Sequence, residues 1–319
     1  MVRHGLLTFA VALLLAACGG LGQDRFPSFI SWVAAERDLS GVISADPRDV
    51  RLETVTIGDG TRVFSVLGIR DSAGPRNVVL FDANLNSVGV ESEADFIRLD
   101  SRLFVTLDGR VQLGTFVYNP ELGELTNDAG PGDVQRSDRS PILHDGFTYW
   151  IIEIESAGHV TLRSSSQFFV PQGTVGPREA FTDGAEIRDL YAHFVYPDDG
   201  GLTDAAFFLE REEGVFFLRS PVSGLSEGVP FPVDPDAAVR LARRVRAETA
   251  RSTPAGVFAA SDDALYRFDA STGEVLDSYR LGENPRTGRP YPVVFDPAGE
   301  FCLIFDAANR TLYELEAWW

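Results

Sequence analysis

Short apolar runs separated by tight polar turns recur along the chain. Four stretches share the order of apolar run, Asp or Asn, turn and second run: VVLFDANLNSVGV, TFVYNPELGELT, ALYRFDASTGEVLDSYRL and CLIFDAANRTLYEL. Side chains of Asp and Asn bond the backbone of such turns, so each stretch predicts an antiparallel hairpin. A weaker copy is YWIIEIESAGHVTL, and the predicted turns begin at Asp82, Asn119, Ser156, Asp269 and Asp306.

The spacing of these hairpins predicts a repeat architecture. Asp82, Asn119 and Ser156 follow one another at intervals of 37 residues, and Asp306 follows Asp269 at the same interval. A period near 40 residues made of short strands is typical of β-propeller blades. We therefore expect an all-β propeller over residues 31–319, with seven blades favoured and eight or six as alternatives.

One repeat resembles a known family more than the others do. LYRFDASTGEVLDSY is similar to the blade repeat of PQQ-like propellers, a group related in shape to WD40-like repeats, through Asp269, Thr272 and Gly273. Asp277 stands where that repeat has tryptophan. The resemblance implies a propeller and does not imply a quinone, so no cofactor is expected.

One segment departs from the β pattern. Asp234-Pro235 followed by DAAVRLARRVRAETARS has an N-cap, a proline at the first turn and good helix formers, which predicts a short helical insertion. Such a helix would dock an acidic partner or the membrane surface. The alternatives are an insertion whose arginines pair with nearby carboxylates, or a strand with alternating Val239 and Leu241. The arginines concerned are Arg240, Arg243, Arg244, Arg246 and Arg251.

The N-terminus predicts export. LLTFAVALLLAA, residues 6–17, is uncharged and follows Arg3 and His4, as in a signal peptide. Twelve such residues are too few to span a bilayer, which needs about 20.

The end of this apolar run resembles the lipobox of bacterial lipoproteins. Leu15-Ala16-Ala17-Cys18 implies cleavage between Ala17 and Cys18 and attachment of lipid, with acyl chains such as palmitate, to Cys18. The expected organisation is a signal peptide at 1–17, a lipidated linker at 18–30 and the propeller at 31–319. Gly19, where aspartate would favour the inner membrane, implies the outer membrane, on its periplasmic side or surface.

Composition limits the classes of molecule that this protein is expected to bind. All 28 basic residues are arginine, against 47 acidic residues, and the net charge is −19. Such a body repels nucleic acid, so no nucleic-acid partner is expected. The absence of lysine removes Schiff-base catalysis and P-loop chemistry. Cys302, in EFCLIFD, is expected to be a core residue.

Three further patterns bear on chemistry. Gly224–Gly228 fits the G-x-S-x-G elbow of serine hydrolases, but the prolines that follow exclude the required helix. The stretch 82–93 has oxygen-bearing side chains at the spacing of an EF-hand loop, which would bind calcium. However, Ser87 stands where an EF-hand has its glycine, and a role in an ordinary turn already explains Asp82. The candidate ligands are Asp82, Asn84, Asn86 and Glu93. The dispersed histidines His144, His159 and His193 would meet only if loops gather them at a channel.

Two polar loops remain as contact surfaces, at 127–141 and 282–292. Loops on a rigid scaffold often carry binding, although they are also ordinary solvated connections. PQQ-like lipoprotein propellers include a scaffold for outer-membrane protein assembly, so the resemblance implies an envelope protein partner. The sequence favours a protein-binding or scaffolding module. The alternative is an envelope enzyme or small-ligand sensor, of the carbohydrate or lactone class, with its site in the central channel.

Overall fold

The chain forms six four-stranded antiparallel sheets in the part that the structure describes. The structure is a computed structural model, and the described residues are 29, 32–43, 49–56, 61–69, 76–94, 103–105, 110–113, 116–127, 142–144, 149–154, 160–165, 171–173, 188–195, 204–221, 238–316 and 319. The first strand, β1 (Val33–Asp38), joins the last sheet. The other strands follow in sequence order, sheet by sheet.

The strands have the following bounds. Sheet I holds β2 (Asp49–Thr56), β3 (Arg62–Ile69), β4 (Arg76–Phe81) and β5 (Ser87–Ala94). Sheet II holds β6 (Leu103–Val105), β7 (Val111–Leu113), β8 (Phe116–Asn119) and β9 (Glu124–Asn127). Sheet III holds β10 (Ile142–His144), β11 (Tyr149–Ile154), β12 (Val160–Ser165) and β13 (Pro171–Gly173).

The second half of the chain continues the same order. Sheet IV holds β14 (Asp189–Val195), β15 (Asp204–Arg211), β16 (Gly214–Pro221) and β17 (Val239–Arg240). Sheet V holds β18 (Arg246–Thr253), β19 (Gly256–Ala260), β20 (Ala264–Phe268) and β21 (Val275–Arg280). Sheet VI holds β22 (Val293–Phe295), β23 (Phe301–Asp306) and β24 (Thr311–Glu316), with β1 on its edge.

The sheets close into a ring. The first strand of each sheet packs against the first strand of the next, through β2, β6, β10, β14, β18 and β22, and β22 packs against β2. Four-stranded antiparallel sheets arranged in this way around an axis form a β-propeller, as the sequence predicted. We call these six first strands the inner strands.

The described sheets number six, so the favoured count of seven blades is not confirmed. The first strands of successive sheets begin at residues 49, 103, 142, 189, 246 and 293, which is 39 to 57 residues apart. The 37-residue interval in the sequence is therefore shorter than every blade. It reflects the recurrence of hairpins, whose local chemistry is the same wherever they lie in a blade.

The turn residues lie at different places in their blades. Asp82 and Asp269 directly follow the third strand of a sheet and Asn119 ends one, whereas Asp306 ends the second strand of sheet VI. In all four turns a side-chain oxygen accepts the backbone N–H two residues on, at 2.8 to 3.0 Å. The Ser271 hydrogen bonds also lower the pKa of Asp269. Ser156 lies outside the described residues.

Sheet VI is built from both ends of the chain. Its edge strand β1 pairs with β24 from Ala35 opposite Glu314 to Asp38 opposite Thr311. Phe29, in the predicted linker, is fully buried and meets Tyr291 and Tyr313 edge to face, at centroid distances of 5.2 and 5.5 Å. Phe29 and β1 are thus integral parts of the last blade.

Apolar side chains fill the spaces between adjacent sheets. One cluster joins sheets V and VI and includes Phe258, Ile304 and Cys302. Another joins sheets VI and I through residues such as Phe64 and Phe305. Cys302 is fully buried, and this burial raises the pKa of its thiol, in keeping with the expected core position.

The predicted helical insertion is wrong for the residues that the structure describes. Residues 239–240 form β17 and residues 246–253 form β18, which pairs with β19. Leu241, Val245 and Ala247 are buried, so strand pairing and packing outweigh helix propensity here. The structure bears out the strand alternative for Val239, whereas Leu241 lies just beyond β17. No helix in the described part is long and apolar enough to cross a membrane.

The stretch that resembles the PQQ-like repeat forms β20, its turn and β21. Asp277, which stands in place of the family's tryptophan, lies opposite Arg267 in the neighbouring strand. The two side chains form an ion pair, with Arg267 Nε 2.8 Å from Asp277 Oδ2. An ion pair thus joins β20 and β21 at this position.

Gly273→Ala is expected to destabilise the protein. Gly273 has a φ of +71°, and a Cβ there would lie 2.1 Å from the carbonyl oxygen of Arg240 in sheet IV. The left-handed backbone costs an alanine about 1–2 kcal/mol, and the clash adds roughly 1–3 kcal/mol. Urea unfolding measures the sum.

Gly282→Ala provides the matched control. Gly282 has a φ of +75°, but a Cβ added there would meet no heavy atom within 4 Å. The Gly282→Ala variant should lose about 1–2 kcal/mol of unfolding free energy, which is the cost of the left-handed backbone alone. Equal losses in the two variants would show that the contact between Gly273 and Arg240 does not constrain the packing of sheets IV and V.

Candidate functional site

The loop at 282–292 connects sheet V to sheet VI and is ordered by its own backbone. Asn284 N donates to Arg289 O at 3.0 Å, and Gly288 N donates to Asn284 O at 2.8 Å. Glu283 and Pro290 form an isolated β-bridge across it. Residues 285–289 are nevertheless exposed. The loop therefore presents polar side chains from a fixed backbone.

Asn284 anchors this loop to the body. Its side chain is buried, and its Oδ1 accepts hydrogen bonds from Arg286 N at 3.0 Å and Thr287 N at 3.3 Å. Its Nδ2 donates to Asp306 Oδ1 at 2.7 Å. One amide thus shapes the loop and ties it to the turn between β23 and β24.

Asp306 accepts the hydrogen bond that Asn284 donates from the loop. It is buried, and it accepts hydrogen bonds from Ala308 N at 3.0 Å and from Asn309 Nδ2 at 2.6 Å. Burial, together with the nearby Asp306 charge, raises the pKa of Tyr291, so that phenol stays protonated. A narrow cleft between loop and turn is lined by Asn284, Pro285, Arg286, Tyr291, Asp306, Ala308 and Asn309.

Two arginines stand on this surface, and both bind neutral oxygens. Arg286 Nη1 donates to Asn309 Oδ1 at 3.0 Å. Arg310 Nη1 donates to the backbone oxygen of Ser40 at 3.1 Å. Their positive charges are therefore not cancelled by these partners. We call Arg286, Arg310 and the cleft between their segments the loop–turn surface.

Polar side chains on the inner strands are used to join blades. Glu53 Oε2 accepts the N–H of Leu103 on the next inner strand, at 2.5 Å. Arg246 Nη2 donates to the carbonyl of Tyr291, just before β22, at 2.9 Å. These bonds link neighbouring blades at the centre of the ring.

A similar bond involves a histidine. His193 Nε2, on β14, accepts the N–H of Ser252 on β18 at 2.9 Å, so the neutral ring carries its proton on Nδ1. The ring stacks on Phe208 with centroids 5.6 Å apart. Burial, with a further contribution from Arg251, holds the pKa of His193 well below its ordinary value. This histidine is fitted for a structural role as a neutral acceptor.

An ion-pair network closes the ring between sheets VI and I. Arg62 Nη1 lies 2.7 Å from Asp296 Oδ2 and 2.9 Å from Glu300 Oε2. The Asp296 side chain has no exposed area, and its burial raises the pKa of this carboxyl despite Arg62. Removing the arginine alone would leave a buried carboxylate without its countercharge.

The structure does not bring the four candidate calcium ligands together. Asp82 Oδ1 accepts the N–H groups of Asn84 and Asn86, and Asp82 Oδ2 accepts Asn86 Nδ2 at 2.9 Å. Glu93 lies far along β5, about 20 Å beyond the turn at the usual rise per residue. Within the described residues no three His, Cys, Asp or Glu side chains cluster as a metal site would require.

Several predicted sites fall outside the described residues. They are the processing and lipidation site Ala17 and Cys18, the repeat position Ser156, His159, the loop at 128–141 and the G-x-S-x-G stretch at 224–228. His144 ends the inner strand β10. Sequence reasoning marked the 282–292 loop and Asp306 separately. It missed their connection, since Asn284 and Asp306 are 22 residues apart and nothing local signals the pairing.

Known proteins resemble this chain only distantly. No protein-family model matches it, and no curated protein matches it. Among solved structures, hydrazine synthase of Kuenenia stuttgartiensis is 12% identical, covers 88% of this chain and 98% of its own, and has a TM-score of 0.44.

Two other structures are similar at the same low level. TolB from Acinetobacter baumannii is 13% identical, with a TM-score of 0.35, over 88% of this chain and 66% of its own. The Dos1 propeller is 10% identical, with a TM-score of 0.26, over 84% of this chain and 58% of its own. The propeller assignment itself rests on the closed ring of sheets.

Replacing His193 by glutamine is expected to flatten the pH dependence of stability. Because the folded pKa lies below the unfolded value of about 6.5, the unfolded state binds more protons in acid. The contribution of the neutral ring is complete above about pH 6.5 and is lost as the pH falls toward the folded pKa, by up to about 2 kcal/mol at pH 5. Glutamine keeps an acceptor for Ser252 without titrating.

The measurement is the free energy of unfolding at pH 7.5 and pH 5.0 for both proteins. The wild type should lose more stability than His193→Gln on acidification. Parallel losses would mean that His193 titrates normally in the folded protein.

Asn284→Ala is expected to release the loop. The change removes three hydrogen bonds of a buried amide and leaves Asp306 one donor short, which should cost about 1–3 kcal/mol. Trypsin should then cut faster after Arg286, as measured by mass spectrometry of timed digests. Glu283→Gln alters an exposed side chain of the same loop while keeping its backbone bridge to Pro290, and it should digest at the wild-type rate. Equal rates in all three proteins would contradict the anchoring role of Asn284.

Proposed function

We propose that this chain is a lipid-anchored protein-binding module of the bacterial cell envelope. The observation that carries the binding role is the loop–turn surface, where an exposed polar loop is fixed to the body by buried hydrogen bonds. A rigid loop on a rigid scaffold loses little conformational freedom when it binds. By contrast, the described polar side chains Glu53, His193 and Arg246 on the inner strands are engaged between blades.

The anchor is proposed at Cys18, after cleavage of the signal peptide 1–17. Phe29 is buried in the last blade and lies eleven positions after Cys18 in the sequence. A chain of that length spans at most about 35–40 Å. The propeller would therefore stay within a short distance of the membrane, and the residue after Cys18, Gly19, favours the outer membrane. A partner would be met at that surface.

Affinity purification tests the proposal. The C-terminally tagged protein is isolated from mildly solubilised envelopes, beside a Cys18→Ser variant, and co-purifying proteins are identified by mass spectrometry. Labelling with radioactive palmitate reports lipidation independently. We expect label on the wild type only, and a stoichiometric envelope protein that depends on Cys18.

Two outcomes would count against the proposal. Labelling of neither protein would remove the lipid anchor. Isolation of the lipidated protein alone, at several detergent strengths and after crosslinking in cells, would remove the binding role.

A small-ligand sensor or enzyme is the second candidate, and one observation favours it. Among the described residues, the buried polar atoms on inner strands that lack a hydrogen-bond partner include His193 Nδ1, Ser252 Oγ and Thr54 Oγ1. A neutral polyhydroxyl ligand, of the carbohydrate class, would satisfy such atoms. Thermal shifts with a panel of sugars and lactones, lost on His193→Gln, would favour this function over protein binding.

A further inference from the structure

We propose that one face of the ring rests on the lipid headgroups of the membrane that holds Cys18, so that the loop–turn surface faces away from the lipid. This inference rests on the proposed lipid anchor and adds the orientation of the ring above it. The face concerned is the one where the inner strands end, and we call it the anchor face. Thr253, at the end of β18, and Asp296, directly after β22, lie on it.

Contacts between sheets V and VI show that their inner strands run in the same direction. Arg246, at the start of β18, donates to the carbonyl of Tyr291 just before β22. At the other end, a Cβ added to Gly299, in the turn after β22, would lie 2.7 Å from Thr253 Oγ1. The two strands therefore begin together on one face and end together on the anchor face.

Sheets I and II follow the same direction. Arg62, opposite the last residue of β2, pairs with Asp296 directly after β22. In the next blade, burial and the charge of Asp82 raise the pKa of Tyr118, so the end of β8 lies near the end of β4. Because neighbouring strands of each sheet are antiparallel, the turn between the third and fourth strands also lies on the anchor face.

The N-terminal segment reaches the ring on the anchor face. The strand β24 is parallel to β22, since each is antiparallel to β23, so β24 ends on this face. Val33, at the start of the antiparallel edge strand β1, lies opposite Leu315 near that end. Trp32 precedes β1 and follows Cys18 by fourteen positions. A lipid on Cys18 would therefore hold the anchor face close to the membrane.

The large apolar side chains that are exposed in the described part of the chain lie on or beside the same face. They are Trp32 before β1, Leu122 in the turn between β8 and β9, and Leu276 near the start of β21. Trp32 meets Tyr279 of sheet V edge to face, with ring centroids 6.0 Å apart, which fixes its position. Tryptophan and leucine side chains of this kind insert at the boundary between headgroups and acyl chains.

The opposite face presents charged turns to solvent. The turns between the second and third strands lie there, and those of sheets IV and V expose two pairs of acidic residues. They are Glu212, Glu213, Asp262 and Asp263. The 282–292 loop and the 306–310 turn lie on this face too, because the loop precedes β22 and the turn follows β23. Turning this face to the membrane would take its carboxylates out of water, which is costly.

Carboxylates on the anchor face define the lipid that it would contact. Glu121 and Glu124 are exposed beside Leu122, and the exposed Glu274 precedes β21. Phosphatidylglycerol, which is negatively charged, would be repelled by these groups. Phosphatidylethanolamine is neutral overall and carries an ammonium group. We therefore expect contact with zwitterionic headgroups.

The test compares two fluorescent labels on the full-length lipidated protein, bound to vesicles of phosphatidylethanolamine and phosphatidylcholine. Leu122→Cys places the label on the anchor face, and Thr287→Cys places it on the opposite face. The native Cys302 is fully buried and stays unlabelled. Lipids with a nitroxide at the headgroup quench only nearby fluorophores. The label at position 122 should lose most of its fluorescence, and the label at position 287 should lose little.

A second pair of variants tests the apolar contacts. Trp32→Ser combined with Leu276→Ser should lower the quenching at position 122 about twofold, because two apolar side chains leave the headgroup layer. The matched control, Glu213→Ser with Arg243→Ser, removes two exposed side chains near the opposite face and leaves the net charge unchanged. It should be quenched as strongly as the parent protein. Equal weakening in both double variants would overturn the contact.

The remaining outcomes separate this inference from the anchor on which it rests. Equal quenching at positions 122 and 287, in protein that carries palmitate, would overturn the orientation and leave the anchor standing. Protein without palmitate would remove the anchor and the orientation together. A dimer in neutral detergent that shields the label at position 122 would overturn the lipid contact in favour of a second copy of the chain. Stronger quenching in vesicles rich in phosphatidylglycerol would overturn the contact with zwitterionic headgroups.

Discussion

Closure of the ring is the constraint on which the rest of this fold depends. In sheet VI, β1 supplies the edge strand beside β24, although the two strands lie far apart in the sequence. Without β1, the outer edge of β24 would expose unpaired backbone groups, and the aromatic contacts of Phe29 would be lost. The loop–turn surface stands on this same sheet, because Asp306 ends β23 and Arg310 precedes β24.

Neighbouring blades are held by two kinds of contact with different consequences. Apolar clusters fill the space between sheets and supply most of the burial, without fixing one arrangement strictly. Glu53, His193 and Arg62 add polar contacts whose geometry is specific, each reaching a defined atom of the adjoining blade. Such contacts set the positions of the blades, and their burial makes them expensive to break singly.

The sequence predicted structure that depends on neighbouring residues and missed contacts between residues far apart in the chain. The Asp and Asn turns were recognisable because their side chains bond the backbone two residues on. The position of Asp306 within its blade could not be recognised, because a turn after the second strand of a blade has the same side-chain-to-backbone hydrogen bonds as a turn after the third. Residues 239–240 and 246–253 form strands against their helical propensity, since partners in β16 and β19 decide their structure. The bond between Asn284 and Asp306 likewise depends on tertiary contact alone.

The pairing of β1 with β24 also sets an order of events in folding. Asp38 and Thr311 lie opposite each other although 273 residues separate them. Closing a loop of that length costs about 5 kcal/mol of chain entropy before any contact is gained. The other sheets can form from contiguous segments, whereas sheet VI also needs β1, which five intervening sheets separate from β22 in the sequence. A polypeptide that emerges from its N-terminus would therefore remain an open array until β24 has emerged, and a chain cut off before β24 could not close the ring.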